Sequence, residues 1–229
     1  MNLRLSLVLV SLVALLTGCA TAPQLPVAVS PQVLATPGTR IGVVMTALPK
    51  VDTEFPGAYC LLCMVAASAT NSTLTDYTRT LPYEELPQLK NQLADVLTKR
   101  GATVVMIDKV DFDKLPDYSP ATPNFARKNF SALKAQYNVD KLVVIALTGV
   151  GIERTYSAYI PTADPKARVA GVSYLVNLNS NALEWYLPLN VQKASDGKWD
   201  EPAKFPGLTN AYFQVLEMTK DEVLKPFQN

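Results

Sequence analysis

Cys19, Cys60 and Cys63 are the side chains through which this chain can do covalent chemistry, because histidine is absent. Without imidazole no Ser-His-Asp or Cys-His nucleophile can be assembled, and no histidine can ligate zinc. Proton transfer near neutral pH would fall to a carboxylate or lysine with a shifted pKa. Cys60-Leu61-Leu62-Cys63 sets two thiols three residues apart, a spacing with three readings. A tight disulfide is permitted, since Cα separations at this spacing lie within the bonding range. Two buried, small apolar side chains are the second reading. The third is a thiol–disulfide exchange centre, which needs the first cysteine exposed at a helix N-terminus with its pKa lowered. The flanking Tyr59, Leu61, Leu62, Met64 and Val65 are apolar, and burial among them would raise a thiol pKa instead. Two cysteines are too few for a structural zinc site. No catalytic set is recognisable, and neither a cofactor nor a metal ion is expected.

Cys19 ends a different pattern. Arg4 supplies a positive start, and residues 5–16 are almost wholly apolar. That run is too short for a helix across ~30 Å of hydrocarbon, so residues 1–18 read as a signal peptide. Leu16-Thr17-Gly18-Cys19 resembles the lipobox of bacterial lipoproteins. The resemblance implies cleavage before Cys19, a diacylglyceryl thioether on its sulfur, and a long acyl chain such as palmitate on its amine. Ala20, not Asp, follows Cys19. In lipoproteins this implies the outer membrane of a Gram-negative envelope, with the domain facing the periplasm.

Arg4 is the one charged residue in 1–18, so cleavage leaves 20 basic and 20 acidic side chains. That balance argues against a nucleic-acid partner, which requires clustered Lys and Arg. No later segment is long and apolar enough for a transmembrane helix. The acyl chains are therefore the expected membrane anchor. Residues 19–40 carry Pro23, Pro26, Pro31 and Pro37 and read as a tether. Residues 41–229 read as a single periplasmic domain.

Within that domain residues 41–48 form an apolar run suited to a buried strand. Residues 58–70 suggest a short helix rich in small residues. Leu86, Leu89, Leu93, Val96 and Leu97 share one face of a helix over 84–100, closed by Gly101. A strand at 103–108, a helix at 124–137 closed by Asn138, and strands at 142–147 and 153–160 follow. Residues 169–178 and 183–192 alternate as a hairpin around Asn179-Ser180-Asn181. A helix at 208–224 ends before Pro226. The order β-α-β-α-β-β-β-β-α predicts an α/β fold, a mixed sheet with helices packed on it. Gly149-Val150-Gly151 follows a strand but opens no helix, so it reads as a bulge and not a nucleotide loop. Tyr156, Tyr159 and Tyr174 read as strand aromatics, with a ligand groove as the alternative.

The segment 58–70 lies in a stretch, between Lys50 and Arg79, with no basic residue. An interfacial membrane helix would carry Lys or Arg on its polar face. Packing on its own domain, contact with a second subunit or partner, and membrane contact are the three readings, in that order.

Three local patterns are similar to a periplasmic α/β domain. That domain is shared by the curli-secretion lipoprotein, the amino-terminal part of the Tol system's periplasmic protein, and the lipoprotein activator of penicillin-binding proteins. Tyr137-Asn138-Val139-Asp140-Lys141-Leu142-Val143-Val144 resembles its helix–strand junction. Val176-Asn177-Leu178-Asn179-Ser180-Asn181-Ala182-Leu183-Glu184-Trp185 resembles its hairpin, with Asn177 in place of Asp and Asn181 in place of Gly. Ala211-Tyr212-Phe213 and Leu216 sit in a matching last helix. The resemblance spans residues 40–227; together with the lipobox, the tether and the missing catalytic set it leads to the expectation of a non-enzymatic, acyl-anchored lipoprotein. Such a protein scaffolds or assembles an envelope complex, with an envelope protein partner or a homo-oligomer. A periplasmic thiol–disulfide enzyme using Cys60 and Cys63 is one alternative. A subunit of a ring-forming secretion component is the other.

Overall fold

The structure is a computed structural model that describes residues 22–35, 38–83 and 85–228. The expected signal segment, residues 1–18, and Cys19 lie outside the described residues. Strands are β1 (Arg40–Met45), β2 (Asp52–Glu54), β3 (Thr103–Ile107), β4 (Lys141–Glu153), β5 (Tyr156–Ser157), β6 (Ile160–Pro161), β7 (Lys166–Asn177) and β8 (Leu183–Ala194). Helices are α1 (Pro31–Ala35), α2 (Leu61–Thr70), α3 (Ser72–Thr78), α4 (Gln88–Lys99), α5 (Ser131–Tyr137) and α6 (Pro206–Leu224).

The fold is mixed α/β. The main sheet runs β3-β1-β4-β7-β8, and β2 joins the far end of β4. Strands β1, β2 and β3 are parallel to their neighbours, whereas β4, β7 and β8 form an antiparallel meander. Both faces of the sheet are buried, which is why its central strands read as continuous apolar runs. Side chains alternate between two cores. Val143, Ile145 and Leu147 point to the face covered by α4 and α6, where Trp185 meets Phe227 edge-on at 4.8 Å. Leu142 and Val144 point to the other face, covered by α5 and the chain before it.

The hairpin of β7 and β8 turns through Asn181, whose φ is 61°. Asn138 closes α5 at φ 51°, the left-handed position that asparagine tolerates. Thr148 bulges out of β4, where the register with β7 shifts between Leu147 and Gly149. The two glycines beside it admit β2. A Cβ on Gly151, at φ 146°, would stand 1.9 Å from the Asp52 carbonyl oxygen, and one on Gly149 would stand 2.6 Å from Glu54 Oε1.

Several elements depart from the sequence reading. Helix α4 begins only at Gln88: Pro87 has no N–H to donate, and the chain before it makes tight turns, with Leu86 N–H donating to the Tyr83 carbonyl and Gln88 N–H to that of Glu85. No helix starts at Asn124, which has φ 67°. Residues 125–130 instead run along the hairpin turn: Phe125 bridges Ala182 and Lys128 bridges Asp117. The strand expected at 153–160 divides. Strand β4 runs through to Glu153, and the small β5–β6 hairpin follows it. Its course is set by β2 and the residues after it, since Arg154 N–H donates to the Glu54 carbonyl and Tyr156 N–H to that of Pro56.

The described part of the proline-rich segment packs against the domain. Val27 exchanges two 2.9 Å backbone hydrogen bonds with Tyr186 on the edge strand β8. Lys141 Nζ donates to the Val33 carbonyl at 2.9 Å. The Val27–Tyr186 pair satisfies part of an edge that would otherwise be open to strand pairing. Among the described residues no helix is long and apolar enough to cross a membrane.

Candidate functional site

Helix α2 and the residues leading into it form the most unusual surface of the molecule. Phe55, Ala58, Cys63, Ala67 and Tyr156 make a small core of their own, separate from the two sheet cores. Only Cys63 and Ala67 of α2 are buried. Most of this apolar helix and the residue before its cap therefore face water: Tyr59 is 88%, Leu61 82% and Leu62 79% exposed, and Met64 and Val65 are also exposed. Contiguous large apolar side chains of this kind mark contact sites more often than isolated ones do.

Local chemistry holds the platform rigidly. Gly57 has φ 92°, and a Cβ there would sit 1.8 Å from the Tyr156 carbonyl oxygen, so glycine alone lets the chain approach β5. The Asn71 side-chain amide donates to the Ala67 carbonyl at 2.7 Å and to the Tyr156 hydroxyl at 2.5 Å. Arg154 Nη1 donates to Asn71 Oδ1 at 2.8 Å, and its guanidinium lies 4.8 Å over the Trp199 ring. Buried Asn71 thus has both ends of its carboxamide engaged, tying the junction of α2 and α3 to β5.

Cys60 and Cys63 are joined in a disulfide with Cα atoms 4.9 Å apart. Cys60 is the N-cap of α2: it is exposed, and its sulfur accepts from the Cys63 N–H at 3.0 Å. Cys63 is buried. Burial of both cysteines among their apolar neighbours is one of the three readings the sequence leaves open. Those neighbours point outward, so the first sulfur is reachable from solvent.

The three tyrosines do not share a face. Tyr156 belongs to the α2 platform and Tyr159 is exposed. Tyr174 lies over the α5 face of the sheet, where burial raises its hydroxyl pKa well above the ordinary tyrosine value. There it helps line a cavity of about 380 Å³. Sequence patterning does not announce this cavity, because the loop that closes it has the residue spacing of a helix.

No protein-family profile matches the chain, and no curated protein matches it. Among solved structures it is similar to the dodecamer of a PelC variant from Paraburkholderia phytofirmans, with TM-score 0.35 and 13% identity over 90% of this chain and 94% of that one. It is also similar to the lipoprotein GNA1162 from Neisseria meningitidis, with TM-score 0.30 and 14% identity over 82% of this chain and 96% of that one. At these TM-scores and identities neither likeness carries an argument about this chain.

Proposed function

We propose that the chain is an acyl-anchored envelope lipoprotein of the outer membrane, facing the periplasm through Cys19. It acts without catalysis, as a scaffold or assembly factor for an envelope complex. The observation that supports this reading is the outward apolar face of Tyr59, Leu61, Leu62 and Val65 on a rigid platform. A side chain of this size yields ~1.5–3 kcal/mol when fully buried, and here that gain is available only through a contact outside the domain. The 51–78 stretch has no Lys or Arg, so a protein surface is favoured over anionic lipid. The resemblance to the curli-secretion, Tol and penicillin-binding-protein activator domains belongs to the same reading.

Two measurements test it. The full chain, expressed in a Gram-negative host, should carry acyl increments by intact mass and fractionate with the outer membrane; a Cys19→Ser chain should do neither. Light scattering of the unlipidated chain should show association that Leu61→Asp abolishes. An unchanged monomer in both chains would leave the α2 face without self-contact. Capture of no envelope protein by crosslinking at Leu62 would then remove the scaffold reading.

Exposed Cys60 at the N-terminus of α2 supports a second reading, a thiol–disulfide enzyme whose apolar rim meets unfolded clients. Turnover in an insulin-reduction assay, lost in Cys60→Ser, would favour it over the scaffold.

A further inference from the structure

The second feature of the fold is the cavity over the α5 face. Its floor is the sheet itself, with Val144, Ala146 and Val172, and its walls include Phe125, Phe130 and Tyr186. Its volume of about 380 Å³ lies within the ~300–1,000 Å³ range of small-ligand pockets. The walls carry no carboxylate; of the two cations at the lining, Lys128 is paired with Asp117 at 2.9 Å and Arg127 is exposed. A site built this way takes an apolar chain against its floor and tolerates no cationic group at its rim, where Arg127 and Lys128 sit.

The N-terminal segment leads straight to its mouth. Val27 is fixed to Tyr186, as described above. Further back, the Gln24 side chain accepts from the Asn124 N–H at 2.6 Å and donates to Asn124 Oδ1 at 3.2 Å. Ala22 forms part of the cavity lining. Cys19 is three residues before Ala22, and three residues span at most about 11 Å, a distance that a long acyl chain on Cys19 can bridge. We propose that the cavity takes up one acyl chain carried on Cys19. The proposal rests on the lipid-anchor reading given above. It adds that the domain shields part of its own anchor from water, with Val27 and Gln24 setting the path of the chain.

The test uses the full chain made in cells fed a palmitate analogue bearing a diazirine near its methyl end. Cells are irradiated, and the purified protein is taken to intact mass and peptide mapping. The expected result is acylated Cys19 with adducts in the same chain, on peptides containing 125–130 or 172–174. Ala146→Trp, which fills the floor, should lower those adducts at least five-fold while acylation is unchanged. Val172→Phe serves the same purpose if the tryptophan variant unfolds. Normal acylation with no adducts on these peptides overturns this proposal and leaves the anchor reading intact. A mass without acyl increments overturns both. Equal labelling of these peptides in Cys19→Ser would mean that free fatty acid fills the cavity, which also overturns it.

Discussion

Asn181 holds the backbone of Phe130 from across the hairpin turn. Its Oδ1 accepts from the Phe130 N–H at 2.9 Å, and its Nδ2 donates to the carbonyls of Ala126 and Lys128, each at 2.9 Å. The residue is 3% exposed and sits at φ 61°. Glycine would accept that backbone angle without strain but would supply none of the three hydrogen bonds. Asn181→Gly should therefore cost about 2–4 kcal/mol in urea unfolding, since each bond contributes ~0.5–1.5 kcal/mol and the partners left behind are buried. A loss below about 0.5 kcal/mol would mean that water replaces the side chain freely.

Arg168 joins three strands. Its guanidinium pairs with Glu54 on β2, with Glu153 on β4 at 3.0 Å, and with Asn190 on β8 at 2.7 Å. Glu153 is mostly buried and Glu54 is half exposed. Exposed pairs are worth ~0–1 kcal/mol, whereas stranding a buried partner costs several. Arg168→Met should accordingly cost about 1–3 kcal/mol, and Glu54→Gln less than about 1 kcal/mol. Equal losses in the two variants would place the energy in the β2 contact instead.

Much of this architecture was legible in the residues. The β7–β8 hairpin and α6 show through strict alternation and helical spacing, because each buries one continuous face. Asn138 and the Gly149–Gly151 bulge show through residue types whose backbone freedom the site requires. What stayed hidden depends on partners distant in sequence. Strand β2 is three residues long and has meaning only beside β4. Residues 124–130 have helical spacing, but their backbone groups are claimed by Asn181 and Leu183. The apolar run after Cys60 was legible as a helix. That it faces outward was not, since nothing local distinguishes an apolar side chain packed on its own domain from one awaiting a partner.

The disulfide acts on α2 alone. It closes a loop of four residues, for which chain-entropy arguments give a stabilisation of about 2 kcal/mol. Cys60→Ala with Cys63→Ala also removes the sulfur that caps the Cys63 N–H, adding ~0.5–1 kcal/mol. Loss should be confined to the small core of Phe55, Ala58 and Tyr156. Hydrogen exchange should quicken across residues 58–71 and stay unchanged in β4 and β7. Uniform quickening over the sheet would show that α2 is coupled to the global fold.

Tyr212 tests the main core through pH. The side chain is fully buried on the inner face of α6, and its hydroxyl has no hydrogen-bond partner among the described residues. Burial, aided by the nearby Tyr83, holds its pKa well above the usual value of about 10. The folded state thus retains this proton while the unfolded chain releases it. Stability is complete below the unfolded pKa of about 10 and falls as pH rises beyond it. Tyr212→Phe removes an unpaired hydroxyl and its titration together. At pH 8 the variant should be as stable as the parent or up to about 1 kcal/mol more so. Between pH 10 and pH 11 its advantage should widen, because the parent alone carries this ionisation penalty. Urea midpoints at pH 8, 10 and 11 measure both effects. A constant difference across that range would show that the Tyr212 hydroxyl ionises with equal ease in the folded and unfolded chain.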